Sequence, residues 1–193
     1  MELYKDLYTK QQEEKRATKT ADIFGTVLVL LCIFLLFTKY AWFLPVQVEG
    51  DSMNATLNTG DQLLVDRLCD VDRGDVIVFT LNGKAYIKRV VGVEGDTVTF
   101  INGELFVKRA GEQEFKKAVY EGVIGNTYPK KSTATGEGFL VSKGCVFVLG
   151  DNRENSTDSR TLGEINLNDV NGVVHQFIID HKDGFLGKLY KWL

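Results

Sequence analysis

Three short stretches of this sequence hold side chains whose types and spacing suit acid–base or nucleophilic chemistry. The first is Val48-Glu-Gly-Asp-Ser52-Met-Asn-Ala-Thr-Leu57, with a lone hydroxyl between Asp and Met. The second is Lys88-Arg-Val-Val-Gly-Val-Glu-Gly-Asp96, and the third is Leu149-Gly-Asp-Asn-Arg-Glu-Asn-Ser156-Thr-Asp158-Ser-Arg160. If Lys84 to Val91 is a strand, alternation puts Lys84, Tyr86, Lys88 and Val90 on one face and Ala85, Ile87, Arg89 and Val91 on the other. An amine held between Tyr86 and Val90 has its charged form disfavoured, which lowers its pKa toward neutrality. Such an amine takes a proton from a hydroxyl, whereas a solvated lysine at neutral pH does not. Ordinary readings stand beside these. Ser52 suits a turn or cap, Lys88 a solvated strand position, and the third cluster a polar loop or a cation-binding loop.

The elements that must position these groups read as β structure. Val76–Leu81 and Lys84–Val93 flank Asn82-Gly83, and Thr97–Ile101 and Glu104–Arg109 flank Asn102-Gly103. Asn-Gly between two β-rich runs is the strongest short-range hairpin signal. Leu63–Leu68 and Cys145–Leu149 are further strand candidates. Val170–Asp180 is a late one, with Gly172 marking a bulge. Residues 110–138 are rich in Lys, Glu, Gly and Thr and read as a variable, peripheral insertion. The closing Phe185–Leu193 segment mixes aromatics with lysine, as an interfacial or packing tail does.

Ahead of this lies a different chemistry. From Ile23 to Thr38 no residue is charged. Counting Ala21 to Leu44, with Lys39 snorkelling, the stretch is long enough to cross a hydrocarbon core of about 30 Å. Tyr40, Trp42 and Phe43 fit an aromatic belt. A core helix would show a polar face, and a cleaved signal peptide a shorter apolar run with a small-residue exit. Lys15, Arg16 and Lys19 precede the span closely, which predicts a cytoplasmic N-terminus. The organisation expected is a cytoplasmic tail over 1–20, a transmembrane anchor over 21–44 and an extracytoplasmic β-rich domain over 45–193.

The 193 residues carry a formal charge of −3, which offers nothing to nucleic acid. The two histidines weaken any metal-centred or histidine-based mechanism. Of three cysteines, Cys32 falls in the anchor. Cys69 and Cys145 are too few for a disulfide framework and are expected as free, partly buried thiols at strand positions.

Taken together, in this order and behind an anchor, the three clusters resemble those of the type I signal peptidases, especially the short Gram-positive form. Gly60-Asp-Gln-Leu-Leu-Val-Asp66-Arg resembles a further box of that family. The resemblance implies a mainly β fold, an all-β catalytic domain of coiled sheets like that of the signal peptidases and LexA-type proteases. It implies Ser52 as nucleophile, its backbone N–H as oxyanion donor, and Lys88 as general base. It also implies Ser156 as the residue that orients the lysine, Asp158 and Arg160 as a bracing charged pair, and Asp151 and Asn152 as the structural start of that loop. No metal or cofactor is implied. The reaction would be acyl transfer on secretory preproteins with small residues at −1 and −3, beside the lipid bilayer and near the translocon. Two positions depart from the family pattern: Ala55 stands where Pro is common, and Gly50 where Gram-negative members have an oxyanion serine. The rival readings are a non-catalytic membrane-tethered β-module of the export machinery and a peptidase specialised for a few pilin-like substrates. A LexA-type repressor would carry a DNA-binding domain where this chain has its span.

Overall fold

Asn82 and Gly83, and Asn102 and Gly103, all take positive φ between 51° and 81°. Two successive left-handed residues make the turn whose twist matches the strands it joins. The first turn joins β3 (Val76–Leu81) to β4 (Lys84–Gly92), the second β5 (Thr97–Ile101) to β6 (Glu104–Lys108). Both hairpins lie where the sequence places them. The computed structural model describes residues 1–130 and 138–175. Phe185–Leu193 and the far half of the late strand therefore lie outside the described residues.

Two antiparallel sheets result. Seven strands run in the order β1 (Phe43–Gln47), β2 (Gln62–Asp66), β11 (Val170–Val174), β3, β4, β9 (Cys145–Leu149) and β10 (Ile165–Asn166). Four more run β7 (Lys116–Lys117), β6, β5 and β8 (Phe139–Leu140). The fold is mainly β, as expected. The pairing of β11 with β3 slips between Val170 and Gly172, so the predicted bulge is present. A Cβ at Gly172 would stand 2.3 Å from the Asp66 carbonyl oxygen, and its φ of 152° suits glycine.

Three apolar clusters hold the sheets. Val48, Met53, Leu57, Leu63 and Val65 pack with Val76, Val78 and Val174, so the Ser52 loop is anchored from both sides by buried side chains. Ile77, Phe79, Val90, Val146 and Val148 form a second cluster, and Val91, Val98, Leu105, Phe147 and Leu149 a third. Val90 and Val91 enter different clusters, which is the alternation the sequence implied.

The N-terminal unit is one helix, α1 (Glu2–Trp42). Its Lys19–Phe37 stretch is long and apolar enough to cross a membrane. The large apolar side chains from Ile23 to Phe37 are half or more exposed, a surface that fits hydrocarbon better than water. The helix ends earlier than the predicted anchor. Phe43 and Leu44 belong to β1 and pair with Asp66 and Val65. Pro45 accounts for this, because it biases the residue before it toward extended backbone.

Residues 110–130, read as a peripheral insertion, are stitched to the body. Ala118 N–H donates to Leu105, Thr127 N–H to Gly103, and Ile124 forms an isolated bridge with Asn152.

Candidate active site

Ser52 follows Gly50, whose φ of 84° turns the chain out of β1. The loop after it is fixed by Met53 and Leu57, both buried, and by a hydrogen bond of 2.8 Å from Leu57 N–H to the Met53 carbonyl. The Asn54–Ala55 peptide is cis. Ser52 itself is half-buried, leaving its hydroxyl at the wall of a cavity of about 460 Å³. Val46, Val48, Met53, Tyr86 and Ile87 line that cavity together with Ser52 and Lys88.

Lys88 reaches the same point from β4. Only 3% exposed, it brings its Nζ to 2.7 Å from Ser52 Oγ and donates to the Ile87 carbonyl at 2.6 Å. The Tyr86 ring lies 5.9 Å from the amine. Burial drives the lysine pKa from 10.5 down to about 8, against the opposing pull of the Asp158 and Asp151 carboxylates. A neutral amine at hydrogen-bond distance from a hydroxyl is the arrangement that generates an alkoxide-like nucleophile.

Behind this pair the third cluster forms a brace. Asp151, fully buried, accepts two parallel bonds from Arg89 at 2.9 and 2.7 Å and a third from Thr56 Oγ1 at 2.7 Å. One carboxylate thus ties the nucleophile loop to the residue next to the base. Asn152 adds two bonds, from its N–H to the Ser52 carbonyl at 3.0 Å and from its amide to the Asp51 carbonyl at 3.1 Å. Asp158 caps α2 (Ser159–Leu162) and binds Arg160 through two bonds of 2.8 Å, while Gly150 N–H donates to it at 3.1 Å. Burial draws the Asp158 carboxyl upward, but the Arg160 bonds and charge outweigh this and hold it below the usual carboxylate range. Gly150 admits no side chain, since a Cβ would meet Ser156 Oγ at 2.2 Å and the Ser52 carbonyl oxygen at 2.5 Å.

Ser156 is placed differently from its expected role. Its hydroxyl is buried without a hydrogen bond of good geometry, beside Asp158, and the two partners of the Lys88 amine are Ser52 and Ile87. The sequence reading also missed several members. Arg89 stands in the second cluster, and alternation alone turns it away from Lys88 toward Asp151. Arg153, 2% exposed, bonds the Gly150 carbonyl and Thr127 Oγ1. Lys130 donates to the Ser156 carbonyl at 2.7 Å. Thr127 and Lys130 gave no signal in a stretch read as an insertion.

Cys69, expected at a strand position, lies exposed in the loop after β2, while Cys145 is half-buried in β9. All three cysteines are free thiols.

The family described as signal peptidase, peptidase S26, matches residues 21–179. Signal peptidase I of Bacillus caldolyticus is 34% identical over 174 residues, covering 85% of this chain and 91% of that protein. Signal peptidase I V of Bacillus subtilis is 38% identical over 161 residues, covering 78% and 92%. A crystal structure of a signal peptidase I from Enterococcus faecalis V583 overlaps with a TM-score of 0.44 at 26% identity, covering 55% of this chain and 98% of its own.

Proposed function

The chain belongs to the signal peptidase family, peptidase S26, whose members are serine endopeptidases, and on that footing we propose that Ser52 is its nucleophile and Lys88 its general base. The observation that carries this assignment is the 2.7 Å separation between Ser52 Oγ and Lys88 Nζ in a buried pocket. Neutral Lys88 accepts the Ser52 proton as Oγ attacks the scissile carbonyl, then returns it to the leaving amine. It next takes a proton from water, which hydrolyses the acyl-enzyme. The Ser52 backbone N–H faces the oxyanion, a contribution of roughly 3 kcal/mol per donor.

The brace supports the pair without taking part in proton transfer. Asp151, Asn152, Asp158 and Arg160 hold the nucleophile loop and the desolvating wall in register. Ser156, whose buried hydroxyl lies beside Asp158 in this structure, is assigned to turn toward the Lys88 amine and orient it during turnover.

Secretory preproteins are the substrates of a type I signal peptidase, and the one helix among the described residues that is long and apolar enough to cross a membrane fits a single-pass anchor. Small residues at −1 and −3 suit a cavity walled by Val46, Val48, Met53 and Ile87. On the β9 side, β4 is paired at Arg89, Val90 and Gly92, which leaves Ala85 to Lys88 open for an extended substrate strand. The basic Lys15, Arg16 and Lys19 orient the N-terminus to the cytoplasm and the peptidase domain to the outer side, where preproteins leave the translocon.

The test is cleavage of a purified preprotein by the detergent-solubilised chain, with the new N-terminus read by mass spectrometry. A single cut after a small residue, lost in Ser52→Ala and Lys88→Ala, is expected. Cleavage that survives either substitution overturns the assignment.

A further inference from the structure

Away from the Ser52–Lys88 pocket, the ends of β2 and β11 bring three potential ligands together. Asp66 closes β2, and His175 follows directly after β11, whose Val173 pairs with Asp66. His175 Nε2 stands 3.0 Å from Asp66 Oδ2. Asp66 also folds the next loop onto itself, because Leu68 N–H donates to its Oδ1 at 2.9 Å and the Cys69 N–H bonds the same carboxylate. That turn delivers Cys69 to the same spot. The thiol sulfur, the imidazole nitrogen and the carboxylate oxygen all lie within 4.8 Å of one another. Among the described residues, no other three His, Cys, Asp or Glu side chains bring ligand atoms so close.

We propose that Asp66, Cys69 and His175 form a surface site for a divalent zinc-type cation, with the fourth position open to water. Ligands about 2.0–2.3 Å from one tetrahedral centre stand about 3.3–3.6 Å apart. Here one pair stands 3.0 Å apart and the others within 4.8 Å, so small side-chain shifts suffice to close the set. One thiolate, one imidazole and one carboxylate are the donors that borderline-soft metals such as Zn²⁺ take, and hard cations prefer all-oxygen sets. The surroundings favour a cation as well, since Asp70, Asp72 and Asp75 add their negative charge to that of Asp66 around the thiol. On binding, the S–H bond breaks, a sulfur–metal bond forms and the proton passes to solvent, with no change of oxidation state. The bound ion would join the end of β11 to the loop after β2.

The experiment uses the full chain in detergent, reduced and stripped of metal by a chelator. Co²⁺ is titrated as the spectroscopic probe and then displaced by Zn²⁺. One equivalent of Co²⁺ with a thiolate-to-cobalt charge-transfer band is expected, displaced by one equivalent of Zn²⁺. Cys69→Ser should abolish the band, and His175→Gln should weaken binding at least tenfold, with preprotein cleavage retained in both. Affinity should rise about tenfold per pH unit while the thiol is protonated. The absence of a band in the unaltered chain overturns the proposal. So does a band that persists in Cys69→Ser, which would assign the thiolate to Cys32 or Cys145.

Discussion

On the pocket face of β4, Lys88 meets only uncharged partners, the Ser52 hydroxyl and the Ile87 carbonyl. One residue later, on the opposite face, Arg89 meets the Asp151 carboxylate through two parallel bonds. Both cations are buried, at 3% and 5% exposure, so burial alone does not separate them. What separates them is the partner. A carboxylate at contact distance fixes the Arg89 charge and makes it a structural strut. Lys88 receives only the more distant pull of Asp151 and Asp158, too weak to offset desolvation, and its pKa settles at about 8. The same strand thus offers a charge that never moves and a proton that does.

The comparison is broken most severely at its chemical end. Ser52→Ala and Lys88→Met should each lower kcat by about 10⁴-fold or more, measured on a preprotein, with the circular dichroism spectrum unchanged. Lys88→Met carries a second expectation. Between about pH 8 and 10.5 the unfolded chain binds the lysine proton and the folded chain does not, so stability rises with pH across that window. Below pH 8 the cost of the buried charge is present in full. Removing it at pH 7 should raise stability by about 2–3 kcal/mol, less whatever packing is lost, as chemical denaturation will report.

At the structural end, Asp151→Asn leaves Arg89 buried with its charge uncompensated and should cost about 3–5 kcal/mol. A loss below 1 kcal/mol would show that the two faces are not as different as their partners suggest. The pH profile is gentler. Log kcat/KM should rise by one unit per pH unit below about 8 and level off above, because only the neutral amine accepts the Ser52 proton. A flat profile from acid to alkaline pH contradicts the assigned base. Smallest is Ser156→Ala, expected to lower kcat about tenfold and shift the profile midpoint while unfolding stability stays within about 0.5 kcal/mol.

What the sequence disclosed about this molecule was local. Asn82-Gly83 and Asn102-Gly103 carry their turn in two residues, and Gly172 carries its bulge in one. Alternation separated Lys88 from Arg89 before any coordinate was known. The brace was less legible for a physical reason. Arg89 and Asp151 are 62 positions apart, and nothing near either says which carboxylate meets which guanidinium. Thr127 and Lys130 sit among Lys, Glu and Gly with no apolar alternation, so their bonds to Arg153 and the Ser156 carbonyl left no periodic trace. The two-residue β7, Lys116–Lys117, pairs with β6 and adds exposed ion pairs from Lys116 to Glu112 and from Lys117 to Glu104, none of which leaves an apolar pattern in the sequence. The early end of α1 was readable in principle from Pro45, but the apolar run through Leu44 outweighed it.

The span of the bonds between the Ser52 loop and the third cluster has a bearing on timing. Asn152 reaches Asp51 across 101 positions, and Asp151 reaches Thr56 across 95. Chains are made from the N-terminus, and contacts this distant close late. A nascent chain that has emerged only as far as β8 (Phe139–Leu140) carries both its serine and its lysine, yet lacks Asp151 and Asn152, which tie down the Ser52 loop. Its Ser52 loop is held by its own apolar anchors. The serine loop is therefore locked only when the chain beyond β8 has docked against it, so its final geometry is set by the late strands rather than by its own neighbours.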